Sequence, residues 1–254
     1  MIVLDKLCCG YGRDTVVHDV NLSFEAGKLY SIIGKNGCGK STLLMTAAGL
    51  MKPFSGSITA DGTDISAIKP KELARKFSFL PQSGAGGDIT VRALVSHGRF
   101  PYLPYPRRYS AEDLRCIDSA LETLGITELA DRKVSGLSGG QKQKVRIAML
   151  FAQDTDVIFL DEPTTYLDIG ARLELMELFS SLAAKGRTVI MTLHDLDLAF
   201  RCSDGIAVMK NGSVISFAPP GETAKNGSVE SAFGVSAFRD EHSGQYFFTS
   251  CSKD

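Results

Sequence analysis

The chain has 254 residues, with 28 Lys and Arg against 29 Asp and Glu and 44% hydrophobic residues. This length supports a large core and lies at the upper end for one domain, so a single domain over residues 1–254 is expected. Balanced charge argues against a general polyanion binder. No apolar stretch nears the roughly 20 residues of a membrane-spanning helix, and residues 1–6 lack the pattern of a secretory leader, so a soluble, cytoplasmic protein is expected.

The six cysteines (Cys8, Cys9, Cys38, Cys116, Cys202 and Cys251) include no Cys-x2-Cys pair and read as free thiols in a reducing compartment.

Residues 1–33 read as strands. Polar and apolar residues alternate in Ile2-Val3-Leu4-Asp5-Lys6-Leu7 and in Val20-Asn21-Leu22-Ser23-Phe24, as in an antiparallel sheet covered on one side. Tyr11 falls in the turn between them. The apolar run Leu29-Tyr30-Ser31-Ile32-Ile33 leads into Gly34-Lys35-Asn36-Gly37-Cys38-Gly39-Lys40-Ser41-Thr42, and a good helix former, Leu43-Leu44-Met45-Thr46-Ala47-Ala48, follows. Strand, glycine loop and helix in that order make Gly-x4-Gly-Lys-Ser/Thr a phosphate-binding loop. Its backbone N–H groups aim inward at the positive end of a helix, and glycine admits the phosphates where a Cβ would block them. On this reading Lys40 reaches the β- and γ-phosphates and the Ser41 hydroxyl is a Mg²⁺ ligand. Cys38 stands where the backbone makes the contact. The bland alternative is a glycine turn that caps a helix.

Gly49 and Pro53 close that helix, and Ser57-Ile58-Thr59-Ala60-Asp61-Gly62 reads as a strand entering a turn. Phe77-Ser78-Phe79-Leu80 is a short strand ended by Pro81, with Gln82 next. Ser83-Gly84-Ala85-Gly86-Gly87-Asp88 reads as a loose, mobile stretch. Helical patterning resumes at Val91 until Pro101, Pro104 and Pro106 interrupt it. Ser110-Ala111-Glu112-Asp113 caps a helix with Leu114, Ile117, Leu121 and Leu124 on one face, and Gly125 ends it. Residues 88–135 form a helical insertion; with the next helix, 139–152, a helical subdomain of about 88–150 is expected. Val157-Ile158-Phe159-Leu160, Thr188-Val189-Ile190-Met191-Thr192-Leu193 and Ile206-Ala207-Val208-Met209 are buried strands. Leu173, Met176, Phe179 and Leu182 stripe a helix, and Asn211-Gly212 is a hairpin turn. The tail after Pro219-Pro220 reads as short and polar, with one last strand at Tyr246-Phe247-Phe248. The expected class is α/β: a mainly parallel core sheet covered on both faces, an antiparallel β subdomain and a helical insertion.

Two further motifs carry chemistry. The strand ending in Asp161-Glu162 places two carboxylates at the carboxyl edge of the sheet, where open α/β sheets bind ligands. Asp161 suits Mg²⁺, and Glu162 can polarise an attacking water; a solvated acidic turn is the alternative. Leu137-Ser138-Gly139-Gly140-Gln141 reads as a capping box. Two glycines in a first helical turn are nevertheless poor helix formers, at about 1 kcal/mol each against Ala. They suit a backbone approached closely by a phosphate.

In this order the motifs resemble the ATP-binding subunit of an ABC transporter, a P-loop NTPase, over about residues 1–220. Gly34 to Thr42 matches Walker A, Gln82 the Q-loop, Leu137 to Gln141 the signature, Val157 to Glu162 Walker B, Leu167-Asp168 the D-loop, His194 the switch histidine and Tyr11 the adenine-stacking aromatic. The resemblance implies ATP and Mg²⁺ as ligands and a head-to-tail pair of chains, with Ser138, Gly139, Gly140 and Gln141 serving the partner's nucleotide. It also implies that Gln82 completes the Mg²⁺ and water shell, that His194 holds the water and Glu162, and that Asp168 lies at the dimer interface. Asp88-Ile89-Thr90-Val91, His97-Gly98-Arg99-Phe100-Pro101-Tyr102 and Glu162-Pro163-Thr164-Thr165-Tyr166-Leu167-Asp168 are similar to the iron-siderophore, haem and vitamin B12 importer branch. There the helical insertion docks a membrane permease, so Arg99 and Tyr102 are expected on the docking surface, with a substrate-binding protein as an indirect partner; a plain Pro-rich surface loop over 97–106, with His97 and the aromatics packing locally, is the alternative. A peripheral place on the inner membrane face follows. A soluble ABC ATPase of iron–sulfur assembly and an ATP-gated clamp on nucleic acid or ribosomes are the alternatives; near-neutral charge argues against nucleic acid.

Overall fold

The computed structural model describes residues 1–82 and 87–250. The expectations for Ser83 to Gly86 and for Cys251 lie outside the described residues. In chain order, β1 (Ile2–Tyr11) and β2 (Asp14–Phe24) pair antiparallel, with Tyr11 opposite Asp14. β3 (Leu29–Gly34) is buried throughout and runs through the glycine loop into α1 (Lys40–Ala47). β4 (Ser55–Ala60) and β5 (Thr63–Asp64) complete an antiparallel sheet of order β2-β1-β4-β5. Then come α2 (Pro70–Lys76), β6 (Phe77–Leu80), α3 (Val91–Ser96), α4 (Ala111–Thr123), α5 (Gly139–Gln153), β7 (Val157–Asp161), α6 (Ile169–Ala184), β8 (Thr188–Leu193), α7 (Leu196–Cys202), β9 (Gly205–Lys210) and β10 (Ser213–Ala218). The second sheet has order β10-β9-β3-β8-β7-β6 and is parallel except at the β9–β10 hairpin, whose turn is Asn211-Gly212, both at positive φ.

Period-two geometry lets each strand of this sheet feed two cores. Ile158 and Leu160 of β7, with Val189 and Met191 of β8, pack on the helical side. Phe159 and Ile190 face the other way, with Leu43 and Leu44 of α1 and the inner face of the antiparallel sheet. The expected mainly parallel sheet, covered on both faces, is observed.

The helical insertion differs from expectation in one useful respect. Ser110 and Asp113 form the reciprocal capping box that opens α4, and Ile117, Leu121 and Leu124 are buried as expected. Leu114, however, is 47% exposed, because the buried face begins one residue earlier, at Asp113. That carboxylate accepts from Arg99 Nε at 2.9 Å, while Arg99 Nη1 donates to the Ala152 carbonyl at 2.9 Å, at the C-terminal end of α5. The guanidinium lies 3.8 Å from the centre of the Tyr102 ring, whose hydroxyl donates to Gln153 O at 2.8 Å. Arg99 is only 5% exposed. It is an internal strut of the insertion, not the surface residue expected; Tyr105, at 98% exposure, is the aromatic that faces outward there.

The tail also exceeds expectation. α8 (Pro220–Thr223), α9 (Ser228–Phe233) and the hairpin of β11 (Val235–Arg239) and β12 (Tyr246–Ser250) follow β10. Val229 and Ala232 are buried, and Phe200 of α7 meets the Tyr246 and Phe248 rings at 5.0 and 5.2 Å. Scattered apolar residues in short segments hid this packing from a polarity reading. Among the described residues no helix is long and apolar enough to cross a membrane.

Removing one member of a buried ion pair leaves the other charge uncompensated, at about 3–5 kcal/mol. Arg99→Ala should lose stability on that scale, read from urea unfolding midpoints. Burial alone would raise the Asp113 carboxyl, but hydrogen bonds from Ser110 and Arg99 outweigh it and hold the group below its usual range. Its contribution is therefore complete above the unfolded value of about 3.9 and fades as pH falls through the lower folded value. The stability gap between the natural chain and Asp113→Asn should narrow over that acid window.

Candidate active site

The parallel register sets Asp161, the last residue of β7, opposite Thr192 of β8. Asp161 is 5% exposed, and a buried carboxylate needs hydrogen bonds. Two hydroxyls supply them on one oxygen, Oδ1: Thr192 Oγ1 donates at 2.7 Å and Ser41 Oγ at 3.0 Å. Thr192 Oγ1 in turn accepts from the Glu162 backbone N–H at 2.9 Å. The next step of the chain is unusual. Glu162 has φ +50°, a left-handed conformation that costs a non-glycine residue of order 1–3 kcal/mol. The turn swings its carboxylate out of the strand and between two partners. Gln82 Nε2 donates to Oε2 at 2.6 Å, and His194 Nε2 lies in hydrogen-bond contact with Oε1.

These groups face the glycine loop across a cleft of about 340 Å³, lined by Asn36, Gly37, Gly39, Lys40, Ser41 and Thr42 on one side and Gln82, Glu162 and His194 on the other, with Val16 of β2 at its edge. The Lys40 ammonium is buried and folded onto its own loop, donating to Gly34 O at 2.7 Å and Lys35 O at 3.3 Å. Two of the loop's glycines are demanded by the fold itself. A Cβ on Gly34 would sit 2.6 Å from both Cys38 Sγ and Met209 O, and Gly39 has φ +101° against Val16 and Val17. The Cys38 side chain packs into the core below the loop, while its carbonyl accepts from Gly212 N at 3.1 Å.

Other residues singled out in the sequence lie outside this cleft. Tyr11 is at the end of β1, 53% exposed, and is not among the lining residues. Ser138, Gly139, Gly140 and Gln141 cap and open α5, exposed at Ser138 and Gly139 and half-buried at Gly140 and Gln141, with both halves of the capping box made. Asp168 caps α6, its Oδ1 accepting from Ala171 N at 2.8 Å. Sequence reading passed over three polar residues. Thr192 bridges the two acids. Gln143 of α5, also buried, donates to Pro163 O at 2.7 Å, and Arg146 donates to Gln143 Oε1 at 3.1 Å and to the carbonyls of Pro81 and Gln82. Burial pushes the Arg146 guanidinium below its usual value, against a smaller opposing effect of Tyr166, but a guanidinium remains a cation at neutral pH. The available signal was a polar residue inside a buried strand, for Thr192, and on the inner face of a helix, for Gln143.

A phosphate loop, two acids at a strand end and a glycine turn opening a helix, on a mainly parallel sheet flanked by an antiparallel one, define a class. The chain belongs to the ABC transporter family, whose profile matches residues 17–165. It is an ABC ATPase and binds ATP. Among its relatives, the ferric enterobactin transport ATP-binding protein FepC of Escherichia coli K12 is 41% identical over 233 residues, 91% of this chain and 86% of that protein. The iron(3+)-hydroxamate import ATP-binding protein FhuC of Bacillus subtilis 168 is 43% identical over 213 residues, 83% of this chain and 79% of that protein. Among solved structures, the dimeric structure of MJ0796, a bacterial ABC transporter cassette, is 30% identical with a TM-score of 0.76, over 87% of this chain and 99% of that one.

Thr192→Val keeps the shape of the side chain but leaves the buried Glu162 N–H and Asp161 Oδ1 each short of a partner, at about 1–3 kcal/mol for such a group. A loss of that size in thermal or urea unfolding should accompany a fall in ATP turnover of tenfold or more, because the left-handed turn that aims Glu162 loses its anchor.

Proposed function

We propose that this chain is the ATP-hydrolysing subunit of an importer of iron chelates, working as an ATP-closed pair of chains beneath a separate transmembrane permease. In this reading residues 1–254 form one ATPase domain with a helical subdomain of about 88–150, located peripherally on the inner membrane face, and a substrate-binding protein feeds the permease. Relatives about 40% identical along most of the chain are ATP-binding proteins of ferric enterobactin transport and iron(3+)-hydroxamate import, which favours an iron chelate over haem or a corrinoid.

The observation that carries the paired site is the signature turn. Gly139 and Gly140 are helical residues without positive φ, and an added Cβ would meet nothing closer than 3.5 Å on either. The fold of one chain therefore has no need of glycine there. A close approach from outside does, and a helix N-terminus with two bare Cα atoms suits the phosphates of a nucleotide held by a second copy. The phosphate loop of one chain and Ser138, Gly139, Gly140 and Gln141 of the other then enclose one ATP, with Asp168 at the seam and Tyr11 stacked on the base for about 1–3 kcal/mol.

The donor set fits Mg²⁺. Ser41 and Asp161 offer a hydroxyl and a carboxylate oxygen already 3.0 Å apart, and the Gln82 amide oxygen completes a hard, all-oxygen set with the phosphates. Bound there, the ion offsets the negative charge of the triphosphate. The protein's own groups do the rest. Asn36, Gly37, Cys38, Gly39 and Thr42 present the loop backbone to the phosphates, and Lys40 turns from its loop carbonyls to the β- and γ-phosphates. Glu162 accepts a proton from the attacking water. Gln82 and His194, one on each carboxylate oxygen, fix the direction in which Glu162 points.

Glu162→Gln removes the base and keeps the shape, so ATP should hold two chains together, visible as a dimer in size-exclusion chromatography with ATP and as a monomer without it. Normal ATP turnover by this variant would refute the role given to Glu162. Lys40→Ala should abolish binding of a fluorescent ATP analogue, and undiminished binding would count against the loop. With its permease in proteoliposomes, ATPase stimulation by ferric siderophores but not by corrinoids tests the cargo.

A further inference from the structure

The hydrogen bonds around Arg146 close into a ring. The Gln82 side chain donates to Glu162 Oε2 at 2.6 Å. One residue on, the Pro163 carbonyl accepts from Gln143 Nε2 at 2.7 Å. Gln143 Oε1 accepts from Arg146 Nη1 at 3.1 Å, and the same guanidinium donates back to the carbonyls of Gln82, at 3.4 Å, and Pro81. The ring thus holds the backbone at Gln82 itself and beside Glu162, the two residues whose side chains meet in the cleft. Both clamps come from α5, in the turns that directly follow the Ser138 to Gln141 turn.

We infer that Arg146 and Gln143 are positioning residues for hydrolysis: they tie the helix that begins with the signature turn to the Gln82–Glu162 pair, so that a ligand seated on that turn and the aim of the general base are mechanically joined. The inference rests on the roles given above to Gln82 and Glu162. Its physical basis is the shape of the donors. A planar guanidinium offers five N–H groups in a fixed fork and can serve two carbonyls and an amide oxygen at once; a lysine ammonium on a flexible stem holds no such geometry. Gln143 is 3% exposed, so both ends of its amide need partners, and the arrangement has little slack. The lever is short. A displacement of about 1 Å at reacting groups can change a rate by about a hundredfold.

A merely structural staple would lower stability and leave the kinetic constants of the folded protein alone. The test is a double-mutant cycle on the full-length chain, read by radiolabelled phosphate release so that low rates stay measurable. Arg146→Met should lower kcat about tenfold or more with KM for ATP within about twofold, and Arg146→Lys should recover thermal stability without recovering kcat. In a Gln82→Ala background the same Arg146→Met change should cost at least about threefold less, because one of the two groups it positions is gone. Gln143→Glu, which keeps the shape but loses the donor to Pro163, provides a second route if Arg146→Met does not fold: it too should lower kcat at steady KM, and by less when Gln82 is absent. Equal fractional losses with and without Gln82, or a kcat for the folded variants equal to that of the natural chain, would overturn the inference. Normal turnover by Glu162→Gln would instead overturn the underlying assignment of the base, so the two failures are distinguishable.

Discussion

Asp161 is a carboxylate at the end of a buried strand, and its satisfaction joins the parts of the site. In water such a group costs nothing; inside the sheet it needs donors on every side that water no longer reaches. Ser41 provides one from the first turn of the phosphate helix and Thr192 the other from the neighbouring strand. The phosphate loop, β7 and β8 are thereby fixed to one oxygen atom. Since Thr192 also receives the N–H of Glu162, the bond that quiets one acid starts the left-handed turn that exposes the next. Adjacent residues end in opposite environments: Asp161 is held still and buried, Glu162 is presented to the cleft.

That division explains why the second acid has so many contacts for a residue at a strand end. A left-handed glutamate persists only where the surroundings outweigh its strain. The Thr192 bond at its backbone, Gln82 and His194 at its carboxylate, and Gln143 at the following residue supply that constraint. They come from four elements or their flanking residues: β8, the segments after β6 and β8, and α5. Strain at this point is consistent with preorganisation, because the aim of the carboxylate is set before any substrate arrives.

How much of this was legible in the chain depended on the range of the interaction. Strand-loop-helix order around Gly34 to Thr42, the apolar run ending in Asp161-Glu162 and the capping box at Ser138 are local patterns, and each appears where the sequence placed it. Period-two burial was equally readable, as were the two sheets it implied. What escaped were polar contacts across long sequence separations. Thr192 looked like one more β-branched strand residue, and its register opposite Asp161 is a property of the folded sheet. Arg99 was expected on the surface because the resemblance placed a docking face on the insertion; only the packed insertion shows that Asp113 and the end of α5 hold it inside. Leu114 was misplaced for the same reason, since Asp113 took the inward position that hydrophobicity alone would assign to its neighbour.

The burial of Arg99 also bears on how the insertion acts. Its guanidinium joins the 97–102 segment to the start of α4 and the end of α5, so these pieces have little freedom to move separately. α5 therefore carries two separate attachments beyond its capped N-terminal turn: the Gln143–Arg146 ring near its middle, and the Arg99 and Tyr102 bonds to Ala152 and Gln153 at its far end. A helix is stiff over fifteen residues, so a force applied at one attachment reaches the other. The 97–102 segment of the insertion and the Gln82 side of the cleft are thus held by the same helix.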